Sequence, residues 1–208
     1  MRRLAVAIGA VLLTAGLALS AGHRDYFKVG VITSLSGDLA TGGNVTKRGY
    51  DLWAKTVNSQ GGIEVHGKKY KVKLYYADAQ SEPSQGASGA ERLVTQEGVD
   101  FLLGPYSSGV TLAVAPVIEK YRVPMITGSA ESPLIWRQKF RYTFGTIPPV
   151  NYTGATPINL LAGLNPAPRT AIILGSNDAF SKATAEAFKA ASEEVGIRVL
   201  KYNIVIIA

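Results

Sequence analysis

Short apolar runs with strand character alternate with helical patterns from residue 27 onward, and this alternation constrains the fold more than any other feature of the chain. Phe27 to Ile32 reads as a buried strand, closed by the turn-forming Ser36-Gly37-Asp38. Tyr50, Trp53, Ala54 and Val57 then fall at i, i+3, i+4 and i+7, one stripe of a helix that Gly61-Gly62 ends. Lys68 to Asp78 is a second strand, with Ile63 to Val65 as its hairpin partner. Glu82-Pro83 opens the next helix, which presents Ala87, Ala90 and Val94 to the core and stops at Gly98. Strands at 99–103 and 123–127 flank a helix capped by Ser107-Ser108, in which Pro116 is expected to produce a kink. Strands and helices at this spacing imply parallel strands joined by right-handed crossovers.

The fold class expected is therefore α/β: a doubly wound parallel sheet in a first lobe, residues 21–140, followed by an incomplete second α/β lobe. Between 137 and 149 the helical beat is lost and the chain reaches Pro148-Pro149, which reads as a crossover between lobes. A helix (152–164), a strand (169–174), a helix (181–195) and a strand (197–207) follow, so residues 141–208 hold the hinge crossover and a second lobe with two strands. Two strands and two helices rarely bury enough surface to fold alone. Apolar edges at Ile172-Ile173-Leu174 and Ile204-Val205-Ile206-Ile207 are expected to be exposed and aggregation-prone.

Arg2 and Arg3 precede an uncharged stretch from Leu4 to Leu19, and Ala18-Leu19-Ser20 supplies small residues for cleavage, so residues 1–20 have the layout of a secretory signal peptide. Cysteine is absent, which excludes disulfides, thiolate metal sites and cysteine nucleophiles. The formal charge of +7 includes the two leader arginines. Lys69, Lys71 and Lys73 alternate with Tyr70, Val72 and Leu74, the pattern of a strand with one solvated face. No recognition motif for nucleic acid accompanies them.

Dinucleotide and phosphate loops, zinc-protease helices and the Gly-x-Ser-x-Gly elbow are all missing from the sequence. His23 and His66 are the only histidines, one near the mature terminus and one in the Val65-His66-Gly67 turn, neither placed for catalysis. No metal or cofactor is indicated. What remains is a set of small polar residues after the strands: Thr33 to Gly37, Gly104 to Gly109, and Gly128 to Pro133. In open α/β sheets ligands bind outside these carboxyl ends. Ser107 and Ser108 begin a helix, where free amide groups and the dipole favour an anion. Serine is also an ordinary helix N-cap, and spacing does not separate the two roles.

Four segments in register resemble one family: Val29 to Gly37, Asn58 to Ile63, Gly104 to Gly109 and Val123 to Ala130. They are similar to the periplasmic Leu/Ile/Val-binding proteins of ABC importers, a type I solute-binding group that also includes amide and urea binders. The resemblance runs from about residue 26 to 203, and Phe144 to Pro149 is similar to a subset of amino-acid binders. It implies a periplasmic protein, monomeric at full length, that closes two lobes on a small molecule and delivers it to a membrane permease. Carried over by residue, Ser108 matches the serine holding the ligand carboxylate, and Ala130 a backbone contact to the head group. Phe180 matches an aromatic position of the second lobe, and Tyr106 and Ser129 fall in the same strand-end loops. Glu131 stands where leucine binders have threonine, adding a carboxylate able to bind a cation. Gly42 stands where they place an aromatic ring, implying a roomier pocket. The tyrosine and acidic residue that complete the family's site fall beyond residue 208. Two other roles stay open at this level: a ligand sensor acting on a partner protein, and a hydrolase using Glu131 or Asp178 with a serine.

Overall fold

The computed structural model describes residues 24–206. The leader, His23 and Ile207 lie outside them. The first strand, β1 (Tyr26–Thr33), becomes progressively more buried toward its carboxyl end and occupies the middle of a six-stranded sheet. Helix α1 (Ala40–Ser59) follows, then the hairpin of β2 (Ile63–Val65) and β3 (Lys68–Asp78), whose turn holds His66 at φ +50°. Helix α2 (Pro83–Arg92) runs into one π-helical turn, Leu93–Glu97, and stops at Gly98 in the left-handed region. Next come β4 (Phe101–Leu103), α3 (Ser108–Tyr121), β5 (Met125–Thr127), α4 (Pro133–Arg137) and β6 (Thr143–Gly145).

The sheet order is β2-β3-β1-β4-β5-β6, with every pairing parallel except the β2–β3 hairpin. The chain winds outward from β1 to β3, then returns to place β4 on the other side of β1. The topological switch therefore lies between β1 and β4, where the loops at their carboxyl ends part and leave a crevice.

Period-two alternation splits the sheet into two apolar faces. Val29 and Val72 meet Ala54 of α1 on one face. On the other, Ile32, Ala77 and Leu102 pack against Ala90 and Leu93 and against Val110, Val114 and Ile118 of α3. Helices on both faces make the sheet doubly wound. Lys69, Lys71 and Lys73 are exposed while Val72 between them is buried, the solvated strand face read from the sequence.

The remaining elements are α5 (Val150–Thr153), α6 (Ala155–Ala162), β7 (Thr170–Ser176), α7 (Ala179–Glu194) and β8 (Arg198–Val205). β7 and β8 pair in parallel as a separate two-stranded sheet, with Ile158, Ala191 and Ile197 in the core beneath. Ile173 is buried, whereas Ile172 and Leu174 are 60% and 69% exposed.

Two details differ from the sequence reading. Thr143–Gly145 is the edge strand of the first sheet, so that sheet extends past residue 140. Its three residues are too short to announce a strand by periodicity, and backbone pairing with β5 creates it. The helix expected over 152–164 is two helices, α5 and α6, meeting at Gly154. Pro116 lies inside α3, which runs from Ser108 to Tyr121. Among the described residues no helix is long and apolar enough to cross a membrane.

Candidate functional site

Each loop at the switch point is held by hydrogen bonds from a neighbouring strand or helix. Asp78, closing β3, accepts from the Leu35 N–H (2.8 Å), the Ser36 hydroxyl (2.7 Å) and the Gln80 N–H (2.8 Å), and so fixes the loop after β1. Partial burial alone would raise the Asp78 pKa, but these donors outweigh it and hold the carboxyl below its usual value. The Tyr50 hydroxyl donates to the Gly104 carbonyl (3.0 Å), tying α1 to the loop after β4. Burial raises the Tyr50 pKa, so the phenol remains a donor at neutral pH.

The loop after β4 enters α3 through Ser107, whose φ of +91° and ψ of 142° lie outside the regions open to most L-residues. Its Oγ accepts from the Val110 N–H (3.3 Å) as the N-cap. The hydroxyl of Ser108 accepts from the Glu131 N–H (3.2 Å) and the Ser132 N–H (3.0 Å). One side chain at the start of α3 thus fastens the loop after β5. The Ser108 O–H remains able to donate, because both bonds use its oxygen as acceptor.

Asp178 caps α7 opposite this wall. Its Oδ1 accepts from the amides of Phe180 and Ser181, both at 2.9 Å, and its other oxygen accepts a short bond from Ser176. Partial desolvation pushes its pKa up, yet the hydroxyl and amide donors prevail and lower it overall. Held ionised by these donors, Asp178 is a poor general base. Its position just before an alanine-rich helical run is the ordinary N-cap signature, which a search for caps in the sequence would have found.

These walls enclose a cavity of about 260 Å³ lined by Leu39, Tyr106, Ser107, Ser108, Ser129, Glu131, Asp178, Phe180 and Ser181. Six of the residues singled out from the sequence therefore share one cavity: Tyr106, Ser107, Ser108, Ser129, Glu131 and Phe180. Ala130 does not reach it. It is fully buried, because the two bonds to Ser108 draw the peptide after it inward. The expected room beside Gly42 is also absent. A Cβ built on Gly42 would lie 2.5 Å from Tyr106 Cε1 and 2.7 Å from Cε2, so the Tyr106 ring already fills that space. Leu39 and Ser181 were not anticipated, and no local motif distinguishes them.

Wider hollows lie elsewhere, including one of about 510 Å³ beside Tyr50, Trp53 and Ile126. The smaller cavity is distinguished by its place at the switch point and by walls from both sheets' loops. It falls below the roughly 300–1,000 Å³ usual for drug-sized ligands, which suits a small metabolite. Among the described residues no cluster of three potential metal ligands occurs.

A family model described as periplasmic binding protein matches residues 27–205. The Leu/Ile/Val-binding protein homolog 3 of Brucella melitensis is 31% identical over 184 residues, covering 88% of this chain and 48% of that protein. The branched-chain amino acid transporter substrate binding protein LivJ of Streptococcus pneumoniae, solved with isoleucine, superposes with a TM-score of 0.76 at 24% identity. That match covers 87% of this chain and 50% of LivJ. A solute binding protein of an ABC transporter from R. palustris, solved with 4-hydroxybenzoate, is 28% identical with a TM-score of 0.68, over 88% of this chain and 47% of its own. The chain spans about half the length of the curated relatives it matches. The fold is that of type I periplasmic binding proteins.

Proposed function

The chain belongs to the periplasmic binding protein family, and we propose that it is the extracytoplasmic solute-binding part of an ABC importer for an amino acid or a related small acid. The observation that carries this reading is the cavity at the switch point, with serine hydroxyls on one wall and Phe180 on the other. A ligand carboxylate beside Ser107 and Ser108 meets the amino-terminal end of α3. There the amides of Ser108 and Gly109 make no hydrogen bond among the described residues, and the dipole favours negative charge. Hydrogen bonds to a charged group contribute roughly 1.5–3 kcal/mol each, and micromolar affinity requires about 8 kcal/mol. Two or three such bonds, with burial of the ligand between Tyr106 and Phe180, supply that range.

In this reading the protein binds and releases its solute without chemistry, is exported behind its amino-terminal leader, and docks on a membrane permease. Isothermal titration of the full chain against the common amino acids and hydroxybenzoates tests it. At least one ligand should bind at micromolar concentration and lose affinity in Ser107→Ala. Absence of heat and of any thermal shift across the panel would overturn the reading.

A further inference from the structure

We infer that the solute carries a positive charge on its side chain in addition to its head group, and that Glu131 is the residue that reads it. The inference rests on the solute-binding reading of this cleft and adds to it a ligand class, the basic amino acids.

The charges lining the cavity are of one sign. Glu131 and Asp178 both face it, and no lysine, arginine or histidine does. The two carboxylates are not equivalent. Asp178 spends its oxygens on two amides and a hydroxyl, whereas the Glu131 carboxylate makes no hydrogen bond and no ion pair among the described residues.

The Glu131 backbone is nonetheless held from both sides. Its N–H donates to Ser108 Oγ at 3.2 Å, and its carbonyl accepts from the Val150 N–H at 2.9 Å. A carboxylate is thus mounted on a fixed backbone at a half-buried place and left without a partner. Such a group loses hydration without compensation until a cation meets it. The aromatic rings of Tyr106 and Phe180 belong to the same cavity, and aromatic faces attract cations. A uniformly negative lining disfavours a ligand that is only an acid, since like charges repel. A zwitterion with a second ammonium or guanidinium satisfies both ends: its carboxylate at the start of α3, its side-chain cation at Glu131.

Isothermal titration of the full chain against charged and uncharged partners of equal size tests the inference, using L-lysine with L-norleucine and L-arginine with L-citrulline. At least one charged member should bind about tenfold or more tightly than its neutral partner. That preference should shrink to within about twofold in Glu131→Gln. Neutral partners that bind as well or better overturn the inference and leave the solute-binding reading intact. A preference that persists in Glu131→Gln overturns the role of Glu131. Silence from all four amino acids overturns the inference, and the solute-binding reading then stands or falls on the wider panel that includes the hydroxybenzoates. The wild-type comparison decides the ligand charge even if a variant fails to fold.

Discussion

The ring of Tyr106 lies directly over the backbone of Gly42, close enough that no side chain fits between them. Gly42 belongs to the first turn of α1 and Tyr106 to the loop after β4, so the pair bridges the two sides of the switch point. Beside it, Gly43 packs against the Ser34 carbonyl with no room for a Cβ, and its own carbonyl accepts from the Thr33 hydroxyl (3.2 Å). Two adjacent glycines thus let α1 press against the end of β1 and let an aromatic ring from elsewhere in the chain form part of the cavity wall.

Gly42→Ala should separate binding from folding. Alanine favours the helix by roughly 1 kcal/mol over glycine, but its methyl group overlaps the Tyr106 ring and displaces it within the cavity wall. The expected outcome is a melting temperature within a few degrees of wild type and at least a tenfold loss of ligand affinity by calorimetry. Gly42→Ala combined with Tyr106→Ala removes the overlap and should recover part of that loss.

Ser107→Gly should raise stability and weaken binding. The unusual φ of Ser107 carries about 1–3 kcal/mol of strain, and glycine as an N-cap costs only a few tenths of a kcal/mol. Chemical denaturation should therefore show a net gain of roughly 1 kcal/mol. Affinity should fall, because the hydroxyl facing the cavity is gone. Unchanged affinity would remove Ser107 from the site.

Ser108→Ala should destabilise the chain by roughly 1–3 kcal/mol, since the amides of Glu131 and buried Ser132 lose their acceptor together. The same change frees the loop that carries Glu131, so ligand affinity should fall with stability. Urea unfolding and titration on one preparation check both.

Asp78 predicts an acid limb of stability. Its pKa is lower in the folded state than in the unfolded chain, so its contribution is present above the unfolded value near 4 and is lost as pH falls through the folded value. Asp78→Asn should be less stable at pH 7 and should flatten the decline in melting temperature between about pH 5 and pH 2. An unchanged acid limb in Asp78→Asn would assign it to other carboxylates.

The exposed face of β7 predicts a solubility effect. Ile172 and Leu174 point outward while Ile173 between them is buried. Replacing Ile172 and Leu174 by threonine keeps strand propensity and removes apolar surface. The double variant should remain monomeric in light scattering at higher concentration than wild type, whereas Ile173→Thr should destabilise the fold.

The alternating pattern of the sequence determined the strands, most of the helices and the doubly wound class, because periods of two and of about 3.6 residues are local properties of the chain. It also determined which loops stand at strand ends, and so five of the residues that line the cavity, while Phe180 is marked only by the resemblance to the family. Tertiary structure decided what those residues do. Periodicity over three residues does not reveal that Thr143–Gly145 pairs with β5, nor spacing that Ser108 holds the loop of Glu131. The ring of Tyr106 fills the space over Gly42 because two segments more than sixty residues apart are brought into van der Waals contact. Contacts of that kind depend on how α1 and the β4 loop dock against the sheet. No local sequence pattern encodes that distance.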